Sequence, residues 1–259
     1  MTTALSVKSF DFPALSKDSR QAQIIAANLD GEPISEQDLT RVPTPAGGST
    51  TWSIDVAGNQ ETTDEIQGLL VGIGRRGVLW PKSDPSEMRP VVVSHDLLVG
   101  YRVSDELGDI DEKALERFRI GERRYDWVAL ASSPEFGYGA SKNGAGKKVK
   151  ESRLLAILRV DRGEIWPLLV TVGPGSLQRF NKWRKTGLPD FHYACVIGLR
   201  LEKVKNAAGQ AYSQIAPRVV GTIPTDQAEV VKRLYAEPLK AMFDAPPAIA
   251  GAALLDDEE

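Results

Sequence analysis

The amino-acid sequence predicts a mainly β fold with peripheral helices: a small closed β-barrel with long insertions and a C-terminal helix. Three observations lead there. Short apolar or alternating runs recur between residues 51 and 223, most of them stopped by Gly, Pro, Asn or Asp. Helical spacing is confined to three segments, 111–120, 176–185 and 227–243. No tandem repeat of fixed period runs through the chain. Many short strands with few helices between them fit a barrel best.

Taken in order, residues 38–42 lead into Pro43, Pro45 and Gly47-Gly48 and read as a loop. Residues 51–56 alternate polar with apolar, a strand ending in a turn at Gly58-Asn59. Residues 65–73 and 77–80 read as two further strands separated by Gly74-Arg75-Arg76, and 89–101 as extended, loop-rich chain. Residues 111–120 predict a short helix with Asp109 as its cap. After a Gly/Ser/Asn-rich loop at 132–146, residues 151–160 and 165–172 predict two strands around a turn at Asp161-Arg162-Gly163. Pro174-Gly175-Ser176 stops the second strand, and Ser176 is placed as N-cap of a helix through Lys185. Residues 191–204 and 210–223 predict a hairpin turning at 206–209. Thr225-Asp226-Gln227 opens the clearest helix, 227–243, with Val230, Val231, Leu234 and Tyr235 at helical spacing and Pro238 expected to kink or divide it.

With 259 residues there is ample chain for a buried core. The organisation expected is a flexible N-terminal arm at 1–25, a barrel domain at 26–243 with an insertion around 85–146, and a disordered acidic tail at 244–259. No run approaches the roughly 20 apolar residues of a membrane span. The N-terminus lacks the basic start and apolar stretch of a signal peptide. Cys195 is the single cysteine, so an internal disulfide or a thiolate metal cluster is excluded. These features together give the expectation of a cytoplasmic protein, in a bacterial host cell if the resemblance below holds.

Several motifs lose their functional reading to context. Gly72-Ile73-Gly74-Arg75-Arg76-Gly77 matches the dinucleotide fingerprint, but strand-like Val78-Leu79-Trp80 follows it where a helix is required. Gly144-Ala145-Gly146-Lys147-Lys148 is near a Walker loop, yet Ser141 stands in place of Gly and Lys148 in place of Ser or Thr. His95 and His192, the only histidines, lie in no ligand-spaced cluster. On a strand, His192 and Cys195 face opposite sides, so they do not form a nucleophile and base. No cofactor, no metal and no catalytic residue is assigned.

The informative stretch is 141–185. It holds 11 basic residues against Glu151, Asp161 and Glu164. Within it, Lys142, Lys147, Lys148, Lys150, Arg153 and Arg159 are candidate phosphate contacts. Phe180 and Trp183 share a helical face among Arg179, Lys182, Arg184 and Lys185; they either stack on bases or anchor the helix. Tyr138 and Tyr193 are further candidate stacking rings. The whole chain nonetheless has a net charge of -3 and ends in Asp256-Asp257-Glu258-Glu259. Such a tail can compete for a basic groove or recruit a protein partner.

A family resemblance rests on five blocks: Asp38-Leu39-Thr40-Arg41-Val42 with Gly47-Gly48; Arg89-Pro90 and Ser94-His95-Asp96; Gly146-Lys147-Lys148-Val149-Lys150-Glu151; Pro174-Gly175-Ser176-Leu177; and Asn206 with Gly209, Tyr212 and Ser213. In these the chain resembles phage- and mobile-element-encoded proteins that look like OB-fold single-stranded DNA-binding proteins. The resemblance implies a non-enzymatic, OB-like protein that coats single-stranded DNA during replication or recombination, with replication or recombination proteins as partners of the tail. Where the family often carries a zinc-ribbon-like insertion, this chain has Ser133-Pro134 and Val149 instead of cysteines, so zinc is not expected. Residue patterns leave open DNA against RNA and the oligomeric state. They also leave two other classes open: a metal-dependent nuclease or recombination enzyme, and a protein-interaction module with a basic face.

Overall fold

The computed structural model describes residues 8–10, 34–56, 58–81, 89–140, 146–159, 166–188 and 191–247. Most of the expected N-terminal arm, Lys142 and the acidic residues 256–259 lie outside them. Strands dominate, so the protein is mainly β. It divides into two compact units, one built from Met1–Gly74 and Arg153–Met242, the other from Arg75–Ser152 and Phe243–Glu259.

In the first unit the strand order is β1 (Lys8–Ser9), β13 (Ala211–Thr222), β12 (Cys195–Lys205), β5 (Glu65–Leu79), β10 (Val149–Arg159), β11 (Leu168–Val172), β2 (Thr40–Val42). A hairpin of β3 (Trp52–Val56) and β4 (Asn59–Thr63) forms its own two-stranded sheet. No sheet among the described residues closes on itself. One core nevertheless gathers Val42, Trp52, Ile66, Leu155, Val170, Ile197, Leu199 and Ile215 from both sheets. Trp52 completes its satisfaction there by donating its indole N–H to the Leu199 carbonyl at 2.9 Å. β10 lies between β5 and β11 and is buried on both faces from Leu154 onward, which explains its continuous apolar run.

In the second unit the C-terminal end of β5 is followed by β6 (Val92–Ser94), β7 (Val99–Arg102), β9 (Arg124–Asp126) and β8 (Arg119–Gly121). Two short helices, α1 (Glu112–Glu116) and α2 (Trp127–Ser132), complete a core around Leu115, Tyr125, Trp127 and Phe136. The Trp127 ring lies so close to β5 that a Cβ on Gly77 would meet it at 2.2 Å.

Several elements differ from the sequence reading, each for a local reason. Residues 65–79 form one strand because hydrogen-bonded partners lie at both ends, β12 along Glu65–Leu69 and β6 along Gly77–Leu79. The Gly74-Arg75-Arg76 break is therefore absent. Residues 40–42 are a strand because they pair in parallel with β11. The polar strand β4 is held by pairing with β3, which a reading from apolar residues could not detect. The α1 cap is Asp111, which accepts from Lys113 N at 3.0 Å, while Asp109 is engaged by Lys148. α2, capped by Asp126, lies where the sequence pattern predicts no element.

The basic helix α3 (Pro174–Thr186) starts after Gly173. Ser176, expected as its cap, instead accepts from the amide of Ile215 at 2.9 Å on β13. The 191–194 end of the expected strand is a 3-10 turn, His192–Ala194, before β12 begins at Cys195. The hairpin turn is as read: Asn206 Oδ1 accepts from Ala208 N and Gln210 N, and Gly209 takes φ 78°. The C-terminal helix divides into α4 (Thr225–Val231), a π-turn at Lys232–Ala236 and α5 (Glu237–Asp244). Pro238 has no N–H for the Leu234 carbonyl, and the widened turn just before it accommodates that loss. No described helix is long and apolar enough to cross a membrane.

Candidate nucleic-acid interface

Two of the residues expected to contact nucleic acid stand directly opposite each other in the second unit. Tyr138 and Lys147 form an antiparallel bridge, and Gly139 N donates to the Gly146 carbonyl at 3.0 Å, closing the stem of a loop. Buried Phe136 fixes the base of this stem, and Gly139, at φ 90°, lets the chain turn beyond it. Tyr138 is 80% exposed, a large aromatic surface held in water beside an exposed lysine. Lys150, on β10, is also exposed. Lys148 is committed otherwise: its Nζ lies 3.2 Å from the Asp109 carbonyl and 3.4 Å from the Asp109 carboxylate.

Arg153 and Arg159 are corrected by the structure. Both are buried on the first-unit part of β10. Arg159, 4% exposed, donates to both carboxylate oxygens of Glu61 at 3.0 and 3.1 Å. A guanidinium committed in this way has no fork left for a phosphate. A basic residue on a strand faces water only where one face of the strand is open, and β10 is covered on both faces here.

α3 sorts its residues in the same manner. Phe180 is fully buried, its ring 5.6 Å from that of Trp183 at 45°, and both pack against the core of the first unit. Of the two readings left open for this pair, anchoring is the one observed, and Phe180 is corrected from stacking ring to core residue. Arg179 donates to Glu202 at 2.5 and 3.0 Å and to Gln214 at 3.2 Å. Donating to Glu202 holds the Arg179 pKa up, and accepting these bonds holds that of Glu202 down. Lys182, Arg184 and Lys185 remain on the last turns of a helix that contains no acidic residue, where they also complement its carbonyl end.

The 3-10 turn that follows brings three rings together. Phe191 is 63% exposed, and its ring centre lies 5.7 Å from that of Tyr193 at 44°. His192 meets Tyr193 edge-on at 5.7 Å. The turn is braced by Ala194 N and Cys195 Sγ, which donate to the Phe191 carbonyl at 3.1 and 3.3 Å, and by Ile223 N, which donates to Ala194 at 3.0 Å. Burial, and then the charge of Arg184, lowers the His192 pKa. Burial raises the Cys195 thiol to about 11, which suits a packing residue. Phe191 was missed in the sequence, although three successive rings shortly after a basic helix were the available signal.

Two further arginines lie outside the basic stretch. Glu65 accepts from Arg218 at 2.7 and 2.9 Å and lies 3.4 Å from Arg200. It also accepts from Gln67 at 2.5 Å. Gly198 leaves the gap through which the carboxylate reaches across β12, since a Cβ there would stand 2.3 Å from Glu65 Oε1. The Arg218 hydrogen bond is the main cause of a lowered Glu65 pKa, opposed by burial and reinforced by Gln67 and both arginine charges. Among the described residues, no three His, Cys, Asp or Glu side chains group closely enough to hold a metal ion.

Searches of protein-family models, curated proteins and solved structures returned no match to this chain. Its functional reading therefore rests on its own residues.

Proposed function

We propose that this protein binds single-stranded DNA without turning it over, as a coating protein in phage or mobile-element replication or recombination. The observation that carries the reading is the Tyr138–Lys147 pair, an exposed aromatic fixed across from an exposed lysine. A base can stack on the ring while the ammonium meets a phosphate, a combination indifferent to sequence. Lys150 is a second exposed cation in the same unit, and in the other unit Lys182, Arg184 and Lys185 of α3 pair with no carboxylate among the described residues. The OB-like barrel belongs to this proposal: strands of the first unit surround a common core, as an elaborated and opened barrel would. The acidic residues 256–259 act as an internal polyanion that competes for the cations and, once displaced, recruits replication or recombination proteins.

The test is anisotropy of a labelled oligo-dT with Tyr138→Ala and Lys147→Gln variants. Tyr138→Ala should weaken binding about five- to tenfold. Lys147→Gln should reduce the slope of log K against log salt by about 0.7. Binding that neither substitution changes would remove this pair from the interface.

A further inference from the structure

We infer that the first unit carries a base-stacking platform for single-stranded nucleic acid, formed by Phe191 with Tyr193 and served by the cations Lys182, Arg184 and Lys185 of the helix that precedes it in the chain. The inference rests on the functional reading above and assigns to it an aromatic residue outside the basic stretch of the sequence.

Three observations converge. Phe191 leaves most of its ring in water while its neighbour Tyr193 is half-buried, so one aromatic face is open and the other side is supported. The backbone beneath is fixed by the bonds to the Phe191 and Ala194 carbonyls, so little ordering is required when a ligand arrives. The preceding helix supplies charge of one sign: among the described residues, Arg179 is the only α3 cation paired with a carboxylate. The charge of Arg184 reaches the turn, where it acts on His192, and an open, braced ring with cations of this kind close by in the chain selects a polyanion that also has flat apolar faces. Unpaired nucleotides have both, whereas a duplex hides its faces in the stack and an acidic peptide lacks them.

The experiment uses the full chain and a labelled oligo-dT of about 30 nucleotides, with an abasic oligomer of the same length as control. Phe191→Ala should weaken oligo-dT binding about tenfold, and Phe191→Trp should restore it. Affinity for the abasic oligomer should be unchanged by either substitution, because only charge is read there. Replacing Lys182 and Lys185 together by Gln should lower the salt slope by about 1.4. If Tyr138→Ala weakens binding while Phe191→Ala does not, the platform is refuted and the functional reading stands. If the wild-type chain fails to bind oligo-dT at all, both fall together.

Discussion

Arg159 donates both arms of its guanidinium to Glu61 from a buried position on β10, and Phe180 sits wholly inside the core. Tyr138 and Phe191, by contrast, stand in water. At the residue scale, exposure rather than residue type therefore separates the side chains committed to the fold from those open to a ligand. Arg159→Gln should cost about 3 kcal/mol of folding stability, because it removes the guanidinium from a bidentate pair with the partly buried Glu61 carboxylate. Chemical denaturation would measure this loss. The folded fraction should bind oligonucleotide as tightly as wild type. A stable variant with weakened binding would instead return Arg159 to the interface.

At the scale of elements, the long strands depend on close approach. A Cβ on Gly68 would lie 2.5 Å from the Leu158 carbonyl oxygen and 2.7 Å from Ile157 Cγ2, so β5 and β10 meet at a distance only glycine allows. Gly68→Ala should cost about 1–3 kcal/mol through overpacking, seen as a lower denaturation midpoint. A midpoint equal to wild type would mean that the strands can separate freely here. Elements whose signals are local were legible in the sequence. The β12–β13 hairpin with its Asn206 turn, the β10–β11 pair and the Thr225 helix start all declare themselves within a few residues. Elements defined by distant partners were not. β4 has no apolar pattern and exists because β3 lies beside it, while β2 exists because β11 does. The candidate site divides along the same line: Tyr138 and Lys147 could be named from composition, but their pairing could not. Phe191 was hidden by assigning its turn to a strand.

For the whole molecule, a net charge of -3 coexists with exposed cations at Lys147, Lys150, Lys182 and Lys185. If each of these cations neutralises a phosphate, log K should fall with log salt at a slope of about -3. Removing residues 248–259 should tighten binding, since the competing carboxylates leave with them. The most direct measurement is fluorescence anisotropy of labelled oligo-dT of about 30 nucleotides, at low and moderate salt, with duplex as competitor and the truncated chain alongside. Binding to the single strand should be tight, weaken with that slope, resist duplex competition and strengthen on truncation. Absence of binding at low salt, or equal affinity for duplex, would contradict the single-strand reading and leave the basic surface to a protein partner or to non-specific charge.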